Sequence, residues 1–355
     1  MTRLGGAAAA TVFLAALAGC NQETKPLQGK DGQTPVYVVE GRDGAPNAGV
    51  VCTRLGVVVV DPPLSPRMGR ELRQIAEARS RNFWDELHRN LKQQPRTQAP
   101  PVLYVINTTH RATHSFGNQA FADKADFIAT AQAARHLSDI EEVRAARAML
   151  KSEFKVPELD DHALTPITMT VDGGTFALRL EDADVEFIPV GSCVGEGDAV
   201  VRLPRQKVLF AGDLVLVGQV PFAGAGRTQT VRAWIAALRK LEDLDLESVV
   251  PGHGKSGGKE LLQQQREFLE CLVKAVRAAA DAGKTEDQAA REVSLPAPYK
   301  GWRNAQDWLA PNVRLIYREL TAPPEAPPPG VAPPASPAPG VSVPALPPPD
   351  VYRDK

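Results

Sequence analysis

The chain has 355 residues, a formal net charge of -1 and 43% hydrophobic residues. That is enough apolar matter for a sizeable core, and the charge balance points neither to nucleic acid nor to an acidic substrate. Past the extreme N-terminus no apolar run is long enough to span a bilayer.

Residues 1–20 read as a targeting segment. Arg3 supplies a positive n-region, residues 7–18 form a short apolar stretch, and Leu17-Ala18-Gly19-Cys20 resembles a bacterial lipobox. The plainer alternative is an ordinary secretory signal with an incidental cysteine. A lipidated Cys20 would become the mature N-terminus and hold the protein to a membrane surface. With Asn21 next, the expected location is the cell envelope, at the outer membrane facing the periplasm. That compartment is oxidising. Cys52, Cys193 and Cys271 remain, and an odd count leaves at least one thiol free or intermolecular. A Cys52–Cys193 bridge stays open, while Cys271 lies in a helical pattern with Leu262, Phe268, Leu269, Leu272, Val273 and Val276 and is expected to be a buried small hydrophobe.

Residues 21–34 read as a polar leader, 35–321 as one globular domain and 322–355 as a proline-rich tail that cannot build a core. The tail reads as an extended spacer, or as a proline-motif ligand for a protein partner.

Within the domain, residues 35–40 and 49–53 read as strands, and Gly56-Val57-Val58-Val59-Val60-Asp61 as a fully buried one. Ser65-Pro66 opens a helix, proline being suited to the first turn, with Leu72, Ile75, Ala76, Phe83, Leu87 and Leu91 at helical spacing before Pro95. Pro100-Pro101 restarts the chain into a buried strand over 102–106. This strand delivers the turn Asn107-Thr108-Thr109-His110-Arg111-Ala112-Thr113-His114-Ser115-Phe116-Gly117-Asn118. Phe121, Ile128, Ala131 and Leu137 predict a short helix, a buried strand and a second helix. Residues 141–154 predict an amphipathic helix with Ile140, Val143, Ala146 and Leu150 on one face. Strands then dominate at 168–171, 176–180, 185–190, 199–203 and 208–213. Helices over 232–241 and 257–282 flank a strand at 248–251 with the polar exit Gly252-His253-Gly254, and a last helix ends near Leu320. Strand blocks with interspersed helices predict an α/β protein with two packed sheets and helices outside, an αββα sandwich.

Five signals in order carry a family resemblance: the Val-Val-Val-Asp strand ending at Asp61, His-Ser-Phe-Gly-Asn at 114–118, Gly-Glu-Gly-Asp-Ala-Val-Val at 195–201, Val-Leu-Phe-Ala-Gly-Asp-Leu-Val at 208–215 and Val-Val-Pro-Gly-His-Gly at 249–254. Together they resemble the metallo-β-lactamase superfamily. The resemblance implies a two-metal site of imidazoles and carboxylates that activates water for attack on a carbonyl or phosphoryl centre.

The family pattern His-x-His-x-Asp-His-x-x-Gly-Asn, set on Gly117-Asn118, places Thr109 and Arg111 at the His-x-His positions and Thr113 at the aspartate. A later Gly-x-x-His-Thr-x-Gly-Asp pattern, set on Gly197-Asp198, places Val194 at the third histidine. The first metal position thus lacks its imidazoles. His114, Asp213 and His253 remain for the second, and two histidines with one carboxylate suit a single zinc or iron ion with open positions. The other expectation is an inherited polar pocket with no metal. His110 and Cys193, each beside a vacated position, are auxiliary ligand candidates; a loop histidine and a structural cysteine are the plain alternatives. His88, His136 and His162 receive no role. Arg111 is placed to neutralise Asp213, because an unpaired buried charge is costly.

Two functions follow. The expected one is a non-hydrolytic binding or assembly protein that uses the cleft for a small-molecule ligand, since Thr113 removes the carboxylate that in this family orients the attacking water. The alternative is a mononuclear hydrolase of an ester, thioester, lactam or similar bond using His114, Asp213 and His253. Neither reading assigns further catalytic residues.

Overall fold

The computed structural model describes residues 24–28, 34–42, 44–90, 100–153, 156, 159, 162–221 and 229–322. The lipobox with Cys20 and residues 323–355 of the tail lie outside them. Among the described residues, twelve strands form two sheets. The first runs β1 (Thr24–Gln28), β2 (Val36–Val39), β3 (Ala48–Cys52), β4 (Val57–Val60), β5 (Val102–Ile106), β6 (Asp126–Thr130) and β7 (Met169–Val171), in that spatial order. It is antiparallel through β4 and parallel from β4 to β7. The second is ordered β12 (Ser248–His253), β11 (Val208–Leu216), β10 (Asp198–Leu203), β9 (Ala183–Gly191) and β8 (Phe176–Leu180). Only its β11–β12 pair is parallel.

The described helices that accompany the sheets are α1 (Pro66–Asn90), α2 (Ala131–Ser138), α3 (Ile140–Glu153), α4 (Val231–Glu242), α5 (Glu260–Asp281), α6 (Glu286–Glu292) and α7 (Ala305–Thr321). Strand alternation sorts the side chains into layers. Val51, Val58, Val60, Ile106 and Ile128 of the first sheet meet Val185, Phe187, Val201, Phe210 and Val250 of the second in a shared core. The opposite face of the first sheet, with Val50, Val57, Val59 and Val105, packs on Leu72 and Ala76 of α1. The outer face of the second sheet, with Val200, Leu209 and Val249, packs on Trp234, Leu238, Phe268, Leu272 and Val313 of the α4, α5 and α7 helices. This is the expected αββα sandwich. β4 reads as an unbroken valine run because both of its faces are covered.

Two expectations need correction, and one open alternative is closed. Thr24–Gln28, read as part of a polar leader, pairs antiparallel with β2 as an edge strand, because such pairing uses backbone groups and needs no apolar alternation. Cys271 is exposed; it stands one position before Leu272, about 100° around the helix and off the buried stripe. Cys52 and Cys193 are both free and buried, with no bridge between them. Among the described residues, no helix is long and apolar enough to cross a membrane.

Phe187 is 1% exposed in the core shared by the sheets. Phe187→Ala is expected to cost about 3–5 kcal/mol of stability, read as a lower denaturant midpoint at unchanged slope.

Candidate metal centre

The centre forms where the 107–118 turn, the end of β12 and the middle of β11 meet. β5 lies between two parallel neighbours and leads straight into the turn. There the buried amides of Asn107 and Asn118 are mutually hydrogen-bonded at 3.1 and 2.7 Å, and Asn107 Nδ2 also donates to the His114 carbonyl at 3.0 Å. Helix α1 presses on this turn at Gly69 and Gly117. A Cβ on Gly69 would lie 2.3 Å from the Gly117 carbonyl oxygen, so only glycine permits the approach. The turn then closes a short 3-10 helix, Ala112–His114, and delivers His114 fully buried.

Three donor atoms converge. His114 Nε2 lies 3.0 Å from Asp213 Oδ1 and 3.3 Å from His253 Nε2, and His253 Nε2 lies 3.4 Å from Asp213 Oδ1. Among the described residues this is the one set of three or more histidine, cysteine or acidic groups with a ligand atom apiece gathered within 4.8 Å. Gly252 is what lets β12 approach: a Cβ there would stand 2.6 Å from Asp213 Oδ1.

Each imidazole meets a group behind it, and only His253 is hydrogen-bonded there. His253 Nδ1 lies 2.7 Å from the Gly44 carbonyl, which only accepts, so Nδ1 carries the proton and the Nε2 lone pair faces inward. His114 Nδ1 faces Asp61 Oδ2 at 3.6 Å. Asp61 is itself held by the backbone N–H and hydroxyl of Thr108 at 2.8 and 2.5 Å. Asn47 braces the β12 exit, donating to the Pro251 and Gly254 carbonyls at 2.8 Å each.

Inward lone pairs beside a buried carboxylate require a proton or a cation. The electrostatics say the same: burial alone would lower the His114 pKa, but the Asp213 charge and hydrogen bond, with Asp61 behind, push it up to about 10. Burial would raise Asp213, and His114 and His253 instead hold it well below the usual carboxylate range. The donor set also fits a metal. Ligands about 2.0–2.2 Å from a tetrahedral ion stand about 3.3–3.6 Å apart, close to the separations found here.

Asp213 Oδ2 faces the other way, towards Arg111, whose Nε lies 3.6 Å off. The Arg111 Nη2 donates to the Val194 carbonyl at 2.8 Å. Arg111 therefore stands between Asp213 and the loop at Val194, and the charge neutralisation expected from the sequence is present. Val194 is buried in the helix-side core. Thr113 offers its carbonyl to the Leu64 N–H, and the buried Thr109 hydroxyl has no hydrogen-bond partner.

His110 and Cys193 do not join the donor set. The His110 Nδ1 lies 3.1 Å from the Glu196 carbonyl, the ring stacks on His136, and burial pushes its pKa down to about 4. The Cys193 thiol points at the Val190 carbonyl, 3.7 Å away, and burial raises its pKa far above the range in which a thiolate forms. Position beside a vacated ligand was the only sequence signal for either, and one residue along a turn redirects the side chain. His136 proves better connected than its sequence context suggested, with Glu142 and Glu196 at 2.7 and 3.2 Å.

The metallo-beta-lactamase superfamily model matches residues 41–253, a span that contains every residue of this centre. The chain belongs to the metallo-beta-lactamase superfamily. It is 24% identical over 273 residues to the alpha subunit of 2,4-dinitroanisole O-demethylase from Nocardioides sp. (strain JS1661), covering 74% of this chain and 68% of that protein. Among solved structures, it resembles a stereoselective inverting sec-alkylsulfatase from Pseudomonas sp., with a TM-score of 0.58 and 16% identity over 81% of this chain. The match spans 49% of the alkylsulfatase, about half its length. A metallo-beta-lactamase family protein from Thermus thermophilus gives a TM-score of 0.51 at 16% identity, covering 84% of this chain and 93% of that one. These likenesses show the fold. Within the superfamily frame, Asp61 and Asn47 are the supporting residues that the sequence reading did not assign, although Asp61 closes a motif it quoted.

Asn107→Ala leaves Asn118 and the His114 carbonyl unpaired in a buried turn. It is expected to lower stability by about 2–3 kcal/mol, measured by chemical denaturation, with Asn118→Ala close to it.

Proposed function

We propose that this chain is a one-metal member of the superfamily, holding a single zinc or iron ion on His114, Asp213 and His253 and hydrolysing an ester, thioester, lactam or similar bond. The convergence of three inward donor atoms within 3.0–3.4 Å of one another carries this reading. An ion with three protein ligands and open positions supplies Lewis acidity towards a carbonyl and acidifies water. The chain's own contribution is orientation. Gly44 fixes the His253 imidazole by a hydrogen bond, Asp61 faces the His114 ring from behind, Asp213 gives one carboxylate oxygen to the donor set, and Arg111 balances the other. Access is from the side of Arg111 and His253, whose side chains are 23% and 12% exposed while His114 is closed off.

A second reading, a non-hydrolytic binding protein using the same cleft, is favoured by Thr113, which cannot serve as the carboxylate base beside the ligands. Metal analysis of the purified chain is expected to give close to one equivalent of zinc or iron, lost in His253→Ala with the fold intact. Two equivalents, or none after incubation with either ion, would sink the one-metal reading. One bound equivalent without turnover of ester, thioester or lactam probes would favour the binding protein.

The lipobox adds a location to this proposal: a lipid-anchored protein of the cell envelope. Cys20→Ser is expected to abolish labelling by a fatty-acid probe and to move the protein from the membrane fraction to the soluble one. Unchanged membrane association would contradict the anchor.

A further inference from the structure

Beside the three donors lies a second group of oxygens that the proposed one-metal site does not use. Asp213 Oδ2 turns away from the histidines. Asp198 Oδ1 and Thr109 Oγ1 are buried without any hydrogen-bond partner, on side chains that are each 1% exposed. Both lie against Gly195: a Cβ built there would stand 2.8 Å from the Asp198 oxygen and 3.0 Å from the Thr109 oxygen. The neighbouring Val194 turns its carbonyl to Arg111. Carboxylate, hydroxyl and carbonyl oxygens gathered out of water make a hard-cation environment.

Against Asp213 Oδ2 and the Val194 carbonyl the chain sets its own cation. The Arg111 guanidinium reaches Val194 O at 2.8 Å and Asp213 Oδ2 at 3.6 Å, and its charge acts on Asp198 as well. The Arg111 carbonyl, meanwhile, accepts from the His114 N–H at 2.9 Å and the Ser115 hydroxyl at 3.0 Å. The arginine is therefore fixed in place by the same turn that presents His114. A guanidinium stays charged at any working pH. It repels a divalent ion from the oxygen group and weakens the pull of Asp213 on an ion at the histidines, because both act through one carboxylate.

We propose that Arg111 sets the metal count of this site at one, acting as a built-in second cation that excludes a divalent ion from the position between Asp213 Oδ2 and the Val194 carbonyl. This rests on the one-metal reading for the neighbouring position. Its test is separate, because it compares variants at Arg111 by metal uptake and not by turnover.

Zinc content and zinc affinity, by elemental analysis and competition with a chelating dye, are to be measured for the full chain and for Arg111→Gln, Arg111→Met and Arg111→Lys. The two neutral variants keep the length of the stem, and their fold is checked by circular dichroism. Both are expected to take up a second equivalent, while Arg111→Lys stays at one. Neutral variants that still hold a single equivalent would overturn the inference and leave the one-metal reading standing. A parent chain that binds no zinc would remove the one-metal reading; uptake by the neutral variants alone would then still support exclusion by Arg111.

Discussion

The structure turns on how one buried carboxylate is balanced. Asp213 is 4% exposed in the middle of a strand buried along its whole length, and a lone charge in such a place would be untenable. Its two oxygens face two different partners. One meets the inward nitrogens of His114 and His253, and the other meets Arg111. Every departure from the two-metal pattern of the superfamily can be weighed by what it does to that balance. The arginine is a fixed single charge, whereas the histidine side accepts either a proton or an ion.

That difference makes the two halves of the centre unlike. On the histidine side His253 is oriented by the Gly44 carbonyl behind it, which leaves its Nε2 directed at Asp213, and Asp61 faces the other ring across 3.6 Å. Orientation from behind raises ligand basicity and removes rotational freedom that binding would otherwise have to restrict. On the arginine side the cation is covalently part of the turn, so its presence does not depend on supply. A protein built this way keeps Asp213 compensated whether or not the histidine side is loaded.

The strands were the most legible part of the sequence. Valine runs such as Val57–Val60 leave no polar face, and only a strand covered on both sides accommodates them. His114, Asp213 and His253 were legible because each stands at a fixed place in a strand-and-turn motif. What was not legible depends on contacts between distant segments. Nothing near Arg111 in sequence says that it reaches a carbonyl 83 residues away, and nothing near Asn47 says that it braces a turn 204 residues on. The edge strand β1 was hidden for another reason: its pairing is made by backbone groups, which carry no residue signature. Cys271 was misplaced by a single helical step, which periodicity resolves only when the neighbouring helix is known.

The survival of the frame without its full ligand set has a physical account in Asp198. Its Oδ2 accepts the N–H groups of Cys193, Val194 and Gly195 at 3.2, 2.7 and 2.8 Å. Burial pushes this carboxyl up to about 6, and the Gly195 and Val194 N–H groups work against that rise. The loop that would carry a third imidazole is thus folded around a carboxylate of its own chain. The 107–118 turn is likewise closed by its own two asparagine amides, and the β12 exit is tied by Asn47. Each ligand-bearing segment is held by hydrogen bonds of its own. An imidazole can therefore be replaced by threonine, arginine or valine without the segment losing its course. This explains why substitution can be selective, emptying one half of the centre of imidazoles while the other half keeps its geometry.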